Sequence, residues 1–212
     1  MNQLTFFLHN RAELAQLTLE HLRLVGISML VAIVLGVPLG IAISRWRRLD
    51  KPVLGTANVV QTIPSLALFG FLLAVPWIGE RADRIAVLSL ALYALLPIIR
   101  NTYTGIVGVD RAIVESGRGM GMTDRQLLLR VELPLAMPTI IAGIRVATVL
   151  TVGIATIAAA IGAGGLGEYI FRGLAMVNDQ LILAGAIPAA ALALLADFAL
   201  DLLEKRLRPW AS

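Results

Sequence analysis

Leu24-Val-Gly-Ile-Ser-Met-Leu-Val-Ala-Ile-Val-Leu-Gly-Val-Pro-Leu-Gly-Ile-Ala-Ile-Ser44 is an apolar stretch without a charged residue. Its length decides the fold class, because the hydrocarbon core of a bilayer takes about 20 apolar helical residues and leaves no backbone amide unpaired. Residues 53–78 are also uncharged. Residues 85–99 are fewer and borrow from their flanks, giving a span over about 85–101. Residues 139–163 carry only Arg145, and a fifth stretch runs over 181–203. The expectation is an all-α membrane protein of about five transmembrane helices, a single membrane domain over 1–212.

Composition agrees. Hydrophobic residues make up 58% of the 212 and charged ones 15%, with mean hydropathy +0.83; a soluble domain carries about a quarter charged residues. The net charge of +4 and pI near 10.1 read as topology rather than nucleic-acid binding, since cytoplasmic loops of membrane proteins retain Lys and Arg. Arg45, Arg47, Arg48 and Lys51 follow the first stretch. Arg100, Arg111, Arg118, Arg125 and Arg130 follow the third, and Lys205, Arg206 and Arg208 the fifth. Arg11, Arg23, Arg81, Arg84 and Arg172 fall on the other side. The N-terminus is therefore expected outside and the C-terminus inside. No compact signal-peptide pattern opens the chain, so the N-terminal segment is read as retained.

Several chemistries are disfavoured. Without cysteine there is no thiolate metal site or nucleophile. A Walker A loop needs Lys directly after Gly, yet Lys51 follows Asp50 and Lys205 follows Glu204. The chain is expected to be no enzyme, to hold no cofactor, and to depend on a partner for any ATP hydrolysis. Gly162, Gly164 and Gly167 satisfy a GxGxxG spacing, but after a membrane helix instead of a buried strand; a flexible external turn is the reading. His9 and His21 read as solvated or interfacial, with Glu13 and Glu20 near enough for an incidental divalent ion. Gly36 and Gly40 make a small-residue face suited to close helix packing. Asp197, Asp201 and Lys205 share a face of the last helix. That face reads as a charge ladder joined by Arg145, with a transport role for Asp197 as the alternative.

The third connection, about 101–138, is too long for a simple turn, and about 110–134 within it is expected to have structure of its own. It contains Val114-Glu-Ser-Gly-Arg-Gly-Met-Gly-Met-Thr-Asp-Arg-Gln followed by Leu-Leu-Leu-Arg-Val-Glu-Leu-Pro. Gly119 and Gly121 break two short helices, Thr123 or Asp124 caps the second, and Pro134 is expected to end it. Such an element suits docking into a groove on a soluble partner; an amphipathic helix on anionic lipid is the alternative, weakened by Asp110, Glu115, Asp124 and Glu132.

This segment resembles the coupling segment of importer-type ABC permeases, whose pattern is Glu-Ala-Ala, a glycine four residues on, and a hydrophobic-x-Leu-Pro ending. Glu115, Gly121, Val131, Leu133 and Pro134 match, while Ser116 and Gly117 stand for the two alanines. Gln61-Thr-Ile-Pro-Ser-Leu-Ala-Leu, Tyr93-Ala-Leu-Leu-Pro-Ile-Ile-Arg-Asn-Thr-Tyr-Thr-Gly and Ile161-Gly-Ala-Gly-Gly-Leu-Gly-Glu-Tyr-Ile-Phe narrow the resemblance to permeases for osmoprotectants such as glycine betaine, choline and carnitine. The resemblance implies a type I ABC importer permease in a bacterial inner membrane. Its partners would be a second permease subunit, identical or paralogous, a cytoplasmic ABC ATPase dimer carrying ATP and Mg, and a separate extracytoplasmic substrate-binding protein. Glu115, Ser116, Gly117, Gly119, Gly121, Leu133 and Pro134 would then couple the chain to its ATPase. Gln61, Thr62 and Ser65, beside Pro64, and the aromatic Tyr93 are candidates for lining the translocation path. Helix–helix hydrogen bonding is the alternative for the polar three. A permease for another small solute, such as an amino acid, or an ion-coupled secondary transporter are the competing functional readings.

Overall fold

The computed structural model describes residues 6–7, 9–46 and 48–207; Arg47 and Arg208 lie outside the described residues. Its helices are α1 (Arg11–Arg45), α2 (Asp50–Thr62), α3 (Ser65–Leu73), α4 (Ala82–Val107), α5 (Arg111–Gly119), α6 (Asp124–Leu127), α7 (Leu133–Ile157), α8 (Gly167–Ala175) and α9 (Asp179–Arg206). A π-helical turn, Leu128–Glu132, joins α6 to α7, and a 3-10 turn, Ala158–Ile161, follows α7. The fold is all-α, with four helices long and apolar enough to span a membrane, or five if α2 and α3 together form one broken span.

The centre is α4, the most buried span, packed between α1 and α7. Its core joins Leu24, Val25, Met29 and Ala32 of α1 to Ile85, Leu90, Ala94 and Ile98 of α4 and to Ala147, Val152 and Ala155 of α7. Glycines let the backbones approach. A Cβ on Gly36 would stand 2.8 Å from Ile98 Cγ2, and one on Gly143 would stand 2.9 Å from Pro97 O. α9 packs on α7 and α8 and is the least buried span.

Four expectations need correction. The stretch 53–78 is not one helix: it bends by 95° between α2 and α3. Ile63 precedes a proline and is extended (ψ 127°), which the Pro64 ring favours, so the helix restarts at Ser65. Nor does Pro134 end a helix. The chain stays helical from Asp124 to Ile161, because the wider π turn lets Leu133 N reach back to Leu128 O and places Pro134 in the first turn of α7, where its missing N–H costs little.

The third correction concerns the glycine-rich turn, which is held by packing and a hydrogen bond and is not loose. Gly164 and Gly165 both sit at φ +84°, and Gly165 N donates to Glu20 Oε2 at 3.1 Å. α8 follows directly, and a Cβ on Gly167 would lie 1.9 Å from Thr156 O. Beneath this turn His21 is fully buried rather than interfacial, its Nε2 3.2 Å from Val152 O; His9 is exposed. Glu13 accepts from Arg172 at 3.0 Å, and the Arg172 guanidinium lies 5.4 Å from the Tyr169 ring centre. Burial, with the Glu13 carboxylate adding to it, pushes the Tyr169 phenol up to about 12. Glu13 and Glu20 thus serve as partners within the chain, and among the described residues no group of three or more His, Cys, Asp or Glu could hold a metal ion.

Candidate functional site

The third connection folds as an elbow. Asp110 caps α5 by accepting from Ala112 N at 2.9 Å. At the other end Gly121 takes φ +81°, a conformation glycine adopts without a Cβ clash. There Gly121 N donates to Arg118 O and Met122 N to Gly117 O, closing the helix end. α6 then starts on a reciprocal cap: Gln126 N donates to Thr123 Oγ1 at 3.3 Å, and Thr123 N to Gln126 Oε1 at 2.9 Å. Of the two capping residues the sequence offered, Thr123 takes the role.

The two arms are pinned together from inside. Gly117 is the buried residue of α5, and a Cβ there would meet Leu127 Cδ1 at 2.7 Å. Leu127 is wholly buried, and Arg118 reaches Asp124 across the elbow at 3.7 Å. The elbow is also tied to the first span. Arg45, at the end of α1, donates through Nη1 to Glu132 Oε1 at 3.2 Å and through Nη2 to Glu132 Oε2, and Glu132 is buried. Between these parts lies an open polar cavity of about 730 Å³, bordered by Arg45, Arg111, Glu115, Arg118, Asp124 and Glu132.

Of the residues marked from sequence, Glu115 borders this cavity and Gly117 forms the hinge contact. Ser116 is exposed, and its hydroxyl donates to Ala112 O at 2.8 Å within its own helix. Gly119 and Gly121 are exposed, with open space where a Cβ would stand. Leu133 packs against the small core of Ile106, Ala136 and Ile140, whereas Pro134 faces outward. Beside the charges, the elbow exposes Ile113 and Met120, the latter 77% exposed. Sequence reading missed the Arg45–Glu132 clamp. Each residue appears only as a loop charge in the linear sequence, and nothing local pairs positions so far apart.

The second group of candidates collects at the α2–α3 bend. Gln61 Nε2 donates to Tyr93 O at 2.8 Å, and Tyr93 OH donates to Ile63 O, the carbonyl that the break leaves outside the helical ladder. These two side chains therefore brace the broken helix against α4. Thr62 bonds its own helix at Val59 O, 2.7 Å away, and is exposed, while Ser65 begins α3 half-buried. Tyr93→Phe would strip the bend of one donor at a cost of about 1 kcal/mol. A lower thermal midpoint of the detergent-purified subunit checks this; an unchanged midpoint would mean the carbonyl is satisfied otherwise.

An all-α set of long apolar helices, with a broken second span and a structured connection between the third and fourth, defines a multi-pass membrane permease of the ABC importer class. The chain belongs to the family of binding-protein-dependent transport system inner membrane components, which it matches over residues 32–209. It is similar to the glycine betaine/carnitine/choline transport system permease protein OpuCB of Bacillus subtilis (strain 168), 43% identical over 99% of this chain and 95% of that protein. It is likewise similar to the carnitine transport permease protein OpuCB of Listeria monocytogenes, 45% identical over 98% of this chain and 94% of that one. Among solved structures, the MetNI methionine ABC transporter in inward-facing conformations gives a TM-score of 0.82 at 22% identity, over 98% of this chain and 99% of that chain. At that identity the likeness speaks for the fold. The chain is thus a permease subunit and not the ATPase.

Proposed function

We propose that this chain, as one membrane domain over 1–212, is the permease through which an ABC importer takes up a small osmoprotectant such as glycine betaine, choline or carnitine. It sits in the bacterial inner membrane with its N-terminus outside and its C-terminus in the cytoplasm. It works beside a second permease subunit, identical or paralogous, and a substrate-binding protein outside. The 110–134 elbow seats in a groove on a cytoplasmic ATPase dimer, which carries ATP and Mg. The observation that supports this reading most directly is the elbow itself: a capped, internally pinned helix pair that runs without a break into a membrane span.

In this mechanism ATP closes the ATPase dimer and displaces α5. Leu127 against Gly117, and Arg118 against Asp124, pass that displacement to α6 and so to α7, while the Arg45–Glu132 clamp passes it to α1. The spans rearrange so that a central path bordered by the α2–α3 bend opens outward, with Gln61, Thr62 and Ser65 as its polar lining; Tyr93, expected there from the sequence, is buried with its hydroxyl on Ile63 O and braces the bend instead. A ligand shifts such an equilibrium only through its differential affinity for the two states; ATP and the loaded binding protein supply that bias.

The test is reconstitution with the ATPase and the binding protein, followed by uptake of labelled glycine betaine, choline and carnitine. Gly121→Val forces a β-branched residue into left-handed backbone, at about 1–2 kcal/mol or more. It should abolish uptake and betaine-stimulated ATP hydrolysis while the protein still inserts, whereas Gly121→Asn should retain most of both. Normal stimulated hydrolysis in Gly121→Val would remove the elbow from the coupling path. Absence of all three substrates from the wild-type vesicles would remove the osmoprotectant assignment.

A further inference from the structure

A second cavity, of about 390 Å³, lies between α1, α2 and α4, apart from the elbow and reaching up to Val60 and Leu92, the residues before Gln61 and Tyr93. Its walls are Leu39, Val53, Ala57, Val60, Leu92 and Ile99 with close apolar neighbours, and its one polar side chain, Thr56, already donates to Pro52 O at 2.8 Å. Nothing in the groove can recognise a polar solute. Its volume suits a ligand, and from Leu49 to Val60 it runs about 16 Å at the helical rise, close to the roughly 15 Å depth of one leaflet.

The mouth of the groove has the opposite character. Leu49 and Pro52 line the groove there, and the residues beside them, Arg48 and Lys51, are exposed. Among the described residues neither has an acidic side-chain partner. Arg45 is committed to Glu132, and the one acid in the segment, Asp50, accepts from Lys51 N and, at 3.2 Å, from Tyr103 OH. Arg100, next to the groove's Ile99, reaches across to Asn58 at 3.0 Å. Trp46 is 65% exposed at the end of α1, the place of an aromatic interfacial anchor.

We propose that this groove binds an anionic phospholipid of the inner leaflet, one acyl chain lying between α1, α2 and α4 and the phosphate held by Arg48 and Lys51. The apolar wall alone would not distinguish one lipid from another. The two cations at its mouth supply the preference, because basic residues beside a span attract anionic headgroups. The sidedness rests on the orientation given under Proposed function; the lipid contact does not depend on what is transported.

The permease purified with its partner subunits would be reconstituted with equal phosphatidylglycerol and phosphatidylcholine, and retained lipid measured by native mass spectrometry. Arg48→Gln with Lys51→Gln should lower retained phosphatidylglycerol about tenfold and leave phosphatidylcholine unchanged. Ala57→Trp, which fills the groove, should expel both, with size-exclusion behaviour and thermal midpoint confirming the fold. Equal phosphatidylglycerol retention by wild type and the double variant would overturn the proposal. So would efficient disulfide cross-linking of Ala57→Cys between two copies, which would make the groove a subunit contact. Lipid retained as expected in a complex that transports no osmoprotectant would count against the functional assignment and not against this site.

Discussion

Arg145→Leu should cut both the amount of folded protein in the membrane and the uptake it supports by about tenfold, the largest effect expected of any single charge in the chain. Arg145 rises from the middle of α7 and holds α9 at three points: Asp197 Oδ1 at 2.6 Å, Asp201 Oδ1 at 2.6 Å and Glu204 Oε2 at 3.5 Å. Lys205 takes the second oxygen of Asp201 at 2.6 Å. Removing the arginine leaves Asp197 facing other carboxylates at membrane depth, where an unpaired charge is expensive. Asp197→Asn should behave differently and lose less than about twofold, since Asp201 and Glu204 still hold Arg145. Arg145→Leu combined with Asp197→Leu should recover part of the single-variant loss. Uptake and membrane abundance measured side by side decide the matter. A loss in Asp197→Asn as great as that in Arg145→Leu, at normal abundance, would make Asp197 a transport residue instead of one rung in a structural ladder.

Gly40→Ala should lower the thermal midpoint of the purified subunit by roughly 2–12 °C, from a cost of about 1–3 kcal/mol and about 2–4 °C for each kcal/mol in a chain this size. Gly40→Leu should prevent stable folding. A Cβ at Gly40 falls 2.5 Å from Thr102 Cβ and 2.9 Å from Ile99 O, so a carbonyl of α4 itself stands in the way and α1 must back off. Gly26→Ala is the matched control, in the same helix with nothing within 4 Å of the added atom; by helix propensity it should be neutral or slightly stabilising. Equal midpoint losses in the two alanine variants would show that the α1–α4 approach is looser than these distances require.

The glycine pair illustrates what the sequence carries and what it withholds. Gly36 and Gly40 announce a close contact by their spacing, but not which helix fills the gap; in the structure it is α4 of the same chain. Apolar length revealed the spans for the same reason, since bilayer thickness acts on each segment independently. The elbow was legible because caps and glycine breaks are local signals. Four things escaped. The bend at Pro64 lay inside an uncharged stretch, and hydropathy does not register direction. Helix continuity through Pro134 depended on a π turn, which no composition marks. The burial of His21 beneath Gly165, and the Arg45–Glu132 clamp, are long-range pairings that only the packed chain creates.

The unbroken helical run from Asp124 to Ile161 spans 38 residues, about 57 Å at the helical rise. It starts at the Thr123 cap and ends at the left-handed Gly162 turn, which leads into the Gly165 contact with Glu20. A tilt of the elbow is therefore carried along one continuous hydrogen-bonded element to the turn against Glu20, without being handed across a loop.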